Sequence, residues 1–525
     1  MIKNLAKIAI SSGGSITPLI IPSSETGGLG LTNPSIMEDT NGDLLLCLRH
    51  VNYAFYLSEN NQEFKTKWGP LSYLNPEDDV NLRTQNYICK LNPETYQIDE
   101  WNKVDTSKLD VKPIWSFIGL EDARIVRWDE SLYLTGVRRD TTTNGQGRME
   151  LSEIVDNKEI SRSRIEPPGE STYCEKNWMP IMDQPFHYVK WTVPTEIVKV
   201  DPETKSSRVV KTVANDHVKK PRDIRGSSPI VRYKDFYVAI THEVDLWFNQ
   251  KEQKDSKYFN RFVVWDLDWN IKHISAEFWM MGGSIDFTNG LMYKDGHFII
   301  PFGQHDNAAY IIKLPAKSFE YLVGMSTEKP EYNILDEGPL IDFIKDPHDG
   351  TAAFNLAELY YNEGHLASAM VYYLKSAEWN SSEYQKYESA YMVAMCIAKL
   401  GRRDQTEESL WFNLINFWPE RPEGYLALSR YYEWRNNPVL GYSYAKMAFD
   451  RRASETTITP NSTITPGLSI KFQYYKLLWE VGKFDESNEA LRNMYKTEAN
   501  SLYKQFIKEA LVKNKNIKSI DEPIN

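Results

Sequence analysis

"EDARIVRWDESLYLTGVRR", Glu121 to Arg139, holds two apolar runs around the polar turn Asp129-Glu130, with charge crowded at both ends. Short runs rich in β-branched and aromatic residues on either side of a turn read as a β-hairpin. A hairpin needs its turn. It does not need two carboxylates and an arginine ahead of the first strand and an arginine pair behind the second. Those charges are either a solvated rim or the lining of a site.

The pattern recurs in "NPSIMEDTNGDLLLCLRH" (Asn33–His50), "KNWMPIMDQPFHYVKWTVP" (Lys176–Pro194), "SSPIVRYKDFYVAITHEV" (Ser227–Val244) and "FTNGLMYKDGHFIIPFGQHD" (Phe287–Asp306). Five hairpins of one type, separated by variable insertions, predict a five-bladed β-propeller over 1–345. A four-stranded blade cannot bury both faces alone, whereas a closed ring of blades buries them all. A β-sandwich or two small β domains is the alternative. In a ring the starts of the inner strands converge on the axis, where polar residues form a pocket.

Past Asp346-Pro347-His348-Asp349-Gly350 the period changes, and apolar residues recur at helical spacing. "AAFNLAELYYNEGHLASAMVYYLKSAE" (Ala352–Glu378) and "EGYLALSRYYEWRNNPVLGYSYAKMAFD" (Glu423–Asp450) carry the small and large residues of a tetratricopeptide-like unit. Tyr391–Ile415 and Phe472–Tyr495 are looser copies. The spacing predicts an all-α, tetratricopeptide-like solenoid over 346–515, with a loop insertion at Thr456 to Pro466 and a flexible tail over 516–525. Such repeats suit a protein partner.

The 525 residues exceed one compact domain. A net charge of -11 disfavours phosphate backbones, so nucleic acid is not an expected partner. No apolar stretch is long enough to span a membrane. The short run Leu5 to Ile10 is not a secretory signal. Cys47, Cys89, Cys174 and Cys396 show neither CxxC pairing nor ligand spacing, which fits a reducing cytoplasm and no metal or cofactor. The glycines of Ser11–Ser15 and Gly27–Gly30 do not join a strand to a helix, so no Rossmann or P-loop cradle is expected.

The ordered set "NPSI…R", "GLEDARI", "KNWMPI", "GSSPIV…HEV" and "FTNGLMY…FG" resembles the β-mannoside phosphorylase and hydrolase family of five-bladed propellers, and the related kinetoplastid mannosyltransferase/phosphorylases. It looks most similar to versions found beside glycosyltransferase and tetratricopeptide modules in polysaccharide biosynthesis. The resemblance covers about Asn33 to Lys313 and implies Asp122 as a general acid acting through a hydroxyl of the bound sugar. It implies sugar contacts from Asn33 and Arg49, and places His242 near the attacking phosphate. Two departures stand out: Ala123 replaces the family's proline, and no arginine stands near Lys190-Trp191-Thr192, where the family has a phosphate ligand.

The residues themselves support the same chemistry. Guanidinium forks suit phosphate, and Arg124, Arg138, Arg139, Lys176, Arg225 and His242 lie near the expected inner-strand ends, with Asn177 beside Lys176. Any one of them could instead be a solvated rim charge. Adjacent strand side chains point oppositely, so Glu121 is expected to face away from Asp122, towards Arg124 or another blade. Glu243 beside His242 would keep that ring cationic. Asp286 and Asp306 are candidate second acids, though aspartate beside glycine or asparagine is usually turn chemistry. Trp115, Trp178, Trp191 and Trp247 are either sugar platforms or core.

The expected function is a carbohydrate-active enzyme, a glycosyltransferase or glycoside phosphorylase. It would move a glycosyl unit, mannosyl by resemblance, between a phosphorylated sugar donor and a sugar or oligosaccharide acceptor. A non-catalytic glycan-binding scaffold that recruits a glycosyltransferase, or an inverting glycosidase with a second carboxylate, remains as an alternative.

Overall fold

The short alternating runs become antiparallel sheet wherever one face can be buried against a neighbour. The computed structural model describes residues 3–59, 66–76, 78–170, 172–219, 222–330, 334, 336–401, 404–451 and 466–514, the side chains of 404–407 and 466 excepted. The tail over 516–525 and nearly all of the loop expected at Thr456 to Pro466 lie outside the described residues.

The described strands form six sheets, five of them with four or more strands. The first sheet orders Leu31–Glu38, Leu44–Val51, Leu82–Leu91 and Ile98–Lys103. The second orders Glu121–Trp128, Ser131–Arg138, Arg148–Val155 and Lys158–Arg164. The third runs from Met179–Pro180 to Ser206–Val213. The fourth is built on the long hairpin Phe236–Phe248 and Lys254–Trp265, and the fifth on His297–Gln304 and Ala308–Pro315. Each quoted hairpin therefore sits in a sheet of its own.

Apolar layers lie between successive sheets. Cys47 and Ile88 of the first pack with Ile125 and Leu134 of the second. Trp128 and Leu151 meet Trp178 and Tyr188 of the third. Ile181 and Ile197 meet Tyr237 and Trp265 of the fourth, and Tyr233 and Phe262 meet Phe298 of the fifth. Ile299 and Ile311 of the fifth return to Ile36 and Leu46 of the first. This is a propeller-like arrangement: each sheet buries one face on the preceding sheet and the other on the next. The run Leu5 to Ile10 is a buried helix, Leu5–Ser11, capped by Asn4 Oδ1, which accepts from Lys7 N at 3.0 Å. Ser15–Pro18 then covers an edge of the fifth sheet.

The chain divides into two compact units: Met1–Asn61, Trp68–Asn380 and Cys396–Arg403 form the first, and Gln62–Lys67, Ser381–Met395 and Asp404–Asn525 the second. Helices Gly350–Asn362 and Leu366–Trp379, which the repeat pattern assigns to the solenoid, group with the sheets. The reason is polar anchoring that periodicity cannot reveal. Lys375, 3% exposed, donates from Nζ to Glu59 Oε2 at 2.7 Å and to the Gly282 carbonyl at 2.9 Å. Glu378 accepts from Ser58 Oγ and from Glu59 N. Tyr372 donates to Gln304 Oε1 at 2.6 Å.

The second unit is helical. Helices Asp404–Phe417, Glu423–Trp434, Pro438–Asp450, Pro466–Glu480, Phe484–Thr497 and Ser501–Lys513 each pack on the next. Gly441, Ala445 and Ala448 are small enough for close approach, and Ser429 Oγ donates to the Gly441 carbonyl at 2.8 Å. Among the described residues no helix is long and apolar enough to cross a membrane.

Candidate functional site

Asp122 and Asn33 are placed by two bulges of the same kind. The register of the second sheet slips between Glu121 and Arg124, and that of the first between Thr32 and Ser35. Asp122 has φ 52° and Asn33 φ 45°. Aspartate and asparagine tolerate this left-handed backbone better than other side chains, and a bulge re-aims the residue that it carries. Asn33 Nδ2 donates to Asp122 Oδ1 at 2.8 Å. Arg49, from the second strand of the first sheet, donates to the same oxygen at 2.9 Å from Nη1.

The bulge also corrects the expectation for Glu121. With Asp122 turned into the left-handed region, strict alternation fails, and both carboxylates lie on one guanidinium. Glu121 Oε2 stands 3.8 Å from Arg49 Nη2. Arg124 does not pair with Glu121. Its Nε donates to the Ser227 carbonyl at 2.7 Å and its Nη1 to the Asp122 carbonyl at 2.9 Å, so it splints the Asp122 bulge to the chain entering the fourth sheet. Ser227 Oγ lies 2.8 Å from His242 Nδ1. His242 stacks on Tyr258 and meets Phe287 edge-on.

A third carboxylate completes the cluster. Asp306, φ 50°, accepts from Tyr53 OH at 3.0 Å and from Thr32 Oγ1 at 3.3 Å, with Asn33 Nδ2 at 3.5 Å. Arg49 is further fixed by Thr84 Oγ1 at 3.0 Å. Burial works against the charge on Asp122, but Arg49, Lys176 and the Asn33 amide outweigh it and hold the carboxyl below the usual range. For Asp306 and Glu121 burial wins over Arg49, and both are pushed up, with the Asp122 charge adding to the effect. Asp122 is thus the most acidic of the three. Its Oδ1 takes both hydrogen bonds, and its Oδ2 has no hydrogen-bond partner among the described residues.

Cations gather beside it. Lys176 is solvent-accessible although protein rings it, so it stands in an opening rather than in the core, and Asp122 raises its pKa against the cost of burial. Arg225 is exposed and pairs in register with His242. Neither Lys176 nor Arg225 has a carboxylate within ion-pair distance among the described residues. His242 is not cationic as expected: burial, then Arg225, Lys176 and Arg124, push it down to about 3. Glu243 does not help, because it faces Arg222 and Arg261.

The remaining sequence candidates lie elsewhere. Arg138 is buried against Glu150, with Nε to Oε1 at 2.5 Å, and lies 3.6 Å from Asp140 and 3.7 Å from Glu159. Arg139 reaches Cys174 Sγ at 3.1 Å and covers the Phe117 ring. Asn177 is buried with φ 65°. Asp286 is buried apart from the cluster, its Oδ2 accepting from Met281 N at 3.1 Å and Gly283 N at 3.4 Å. Burial pushes it up to about 7. Lys190, where the family's arginine would stand, faces Glu175 at 3.6 Å and the Trp178 ring. Trp178 is core, while Trp191 and Trp247 are exposed. Among the described residues no cluster of His, Cys, Asp and Glu could hold a metal ion.

No protein-family profile and no curated protein matches the sequence. Solved structures do. The β-1,2-mannobiose phosphorylase of Listeria innocua aligns over 57% of this chain and 93% of its own, at 11% identity and a TM-score of 0.36. MPT-4, a mannose phosphorylase of Leishmania mexicana, aligns over 61% and 93%, at 11% identity and a TM-score of 0.34. YrrB, a TPR protein with an unusual peptide-binding site, aligns over 35% and 86%, at 14% identity and a TM-score of 0.26. At such values the likeness assigns no activity to the chain.

Proposed function

We propose that the protein is a glycosyltransferase or glycoside phosphorylase. In this reading the five larger sheets are blades of one closed propeller, and the helices of the second unit form a tetratricopeptide-like solenoid. The observation that carries the reading is a carboxylate held acidic, Asp122, beside two cations, Lys176 and Arg225; among the described residues one Asp122 oxygen has no hydrogen-bond partner and neither cation has a carboxylate within ion-pair distance.

A sugar joined to phosphate through its anomeric carbon needs no acid to leave, because cations can stabilise the departing charge. What it needs is a base for the incoming hydroxyl. The acceptor oxygen forms its bond to the anomeric carbon as the carbon–oxygen bond to phosphate breaks. The hydroxyl proton passes to Asp122 Oδ2, and the phosphate leaves with the electron pair towards Lys176 and Arg225. In the reverse direction the protonated Asp122 is the acid and phosphate the nucleophile. Neutral His242, held by Ser227, would donate or accept a hydrogen bond rather than add charge.

A simple inverting glycosidase is less well supported. It needs a second carboxylate about 6.5–9.5 Å away across the sugar. Asp306 shares the Asn33 amide with Asp122, which keeps their Oδ1 atoms closer together than that.

The test is incubation with hexose 1-phosphates, mannose 1-phosphate first, and nucleoside-diphosphate hexoses, each with an oligosaccharide acceptor. Acceptor-dependent release of phosphate or nucleotide supports the reading. Glycan binding without release from any donor, by folded protein, favours the scaffold instead.

A further inference from the structure

The strand that carries His242 does not end at the site. In the hairpin Phe236–Phe248 and Lys254–Trp265, His242 pairs with Asn260, Val244 with Tyr258, Leu246 with Ser256 and Phe248 with Lys254. Side chains alternate along a strand, so His242, Val244, Leu246 and Phe248 share one face with Tyr258 and Lys254. That face begins at the stacked His242–Tyr258 pair and runs outward for six residues, roughly 20 Å at the usual rise. At its outer end Leu246 is 53% and Phe248 62% exposed.

Two packing contacts set this overhang beside the site. The strand Lys254–Trp265 packs against Leu71–Leu74, whose partly exposed Tyr73 meets the ring of Tyr53, the Asp306 partner, edge-on. Burial, with the Lys176 charge, also holds the Lys254 ammonium below its usual value. The hairpin tip is also fixed. Asn249 Nδ2 donates to Gln253 Oε1 at 2.7 Å, and a Cβ on Gly69 would come within 2.7 Å of the Gln253 side chain. On the other face Glu243 and Asp245 are held by Arg222, and Arg261 bonds Glu277 at 2.8 Å, with Trp247 exposed near the tip.

We propose that Leu246, Phe248 and Lys254 form an acceptor platform continuous with the active site, so that the acceptor is an oligosaccharide rather than a free monosaccharide. This rests on the glycosyl-transfer reading of Asp122. The apolar faces of successive pyranose rings lie along Leu246 and Phe248, as sugar rings do on apolar and aromatic side chains. Lys254 donates to their hydroxyls, and Tyr73 closes the rim. The face is several rings long, anchored and open at its far end, which suits a chain held near one terminus.

The experiment compares acceptors of one, two, three and four units from manno-, gluco- and galacto-oligosaccharide series. For the series that is used, kcat/KM is expected to rise with chain length. In Phe248→Ala the ratio of trisaccharide to monosaccharide kcat/KM is expected to fall about tenfold or more, and in Trp247→Ala, on the other face, to stay unchanged. Titration of the trisaccharide by NMR, without donor, separates the two readings. Binding that weakens in Phe248→Ala while no donor reacts keeps the platform and removes the transferase. Transfer with no dependence on chain length, or an unchanged ratio in Phe248→Ala, overturns the platform. So does failure of every series to bind.

Discussion

Two regions of the same sheet hold buried arginines and carboxylates, and only one of them looks chemical. Within the second sheet Arg138 and Arg162 face Glu150 and Glu159: Arg162 Nε lies 3.1 Å from Glu159 and 3.5 Å from Glu150, and Ser152 Oγ donates to Glu159 at 2.6 Å. All four charged residues come from the sheet's own strands, and Glu150 and Glu159 are each matched by two guanidinium groups. Around Asp122 the residues come from the first, second and fourth sheets and from turns beside the third and fifth, two bulges aim Asp122 and Asn33, and the sum does not close. Asp122 Oδ2 and Glu121 Oε1 have no partner, and Lys176 and Arg225 face no carboxylate among the described residues. Charge density alone does not mark a site. Charge left over after pairing does.

The sharpest break of this comparison is Asp122→Asn. It keeps the shape and the Arg49 contact but removes the base, and transfer is expected to fall about 10²–10⁴-fold in initial-rate assays. Melting should fall as well, because the charge facing buried Arg49 is lost, so the rate is read on folded protein. Arg138→Met should act on stability alone. It strands Glu150 in the core and is expected to cost about 3–5 kcal/mol in chemical denaturation, while the folded fraction keeps its KM for donor.

A milder contrast is in pH. Asp122 is depressed when folded, so it stays ionised, and the transfer rate should hold until pH falls below the ordinary carboxylate value near 3.8. Asp286 behaves oppositely. Its pKa is raised to about 7, so between roughly pH 4 and 7 the folded protein keeps a proton that the unfolded chain gives up, and stability drops as pH rises. Asp286→Asn should flatten that slope in melting curves taken across this window. A steep acid limb for transfer above pH 5, or an unchanged melting slope in Asp286→Asn, would break the assignments. The smallest effect belongs to Trp247→Ala, which is exposed and should shift stability by less than about 0.5 kcal/mol.

The hairpin pattern made the sheets legible, because one buried strand pair repeated in each of them. Lys176, Arg225 and His242 were readable as strand-end cations, while Asn33, Arg49 and Asp122 came from the resemblance; the structure joins Asn33 and Arg49 to Asp122, sets Lys176 close enough to act on its charge and pairs Arg225 with His242. Glu121 was not, since alternation predicts the wrong face and no residue type announces a bulge. Tyr53, Tyr73 and Tyr258 carried too little local signal: two lie at or on an inserted strand pair and one far along a partner strand, whereas Asp306 was named only as a candidate second acid in a turn. Arg138 misled because pairing partners such as Glu150 and Glu159 are invisible until strands are in register. The helical period of 350–379 likewise gives no sign of the Lys375–Glu59 pair.

Phosphorus-31 NMR of the protein with mannose 1-phosphate and a manno-oligosaccharide, alongside the other donors, is the most direct trial of Asp122 as the base beside a phosphate site. Inorganic phosphate or nucleotide should appear only when acceptor is present, and should vanish in folded Asp122→Asn. Release that is equal in the two proteins, or absent from the unaltered protein with every donor, would contradict the account.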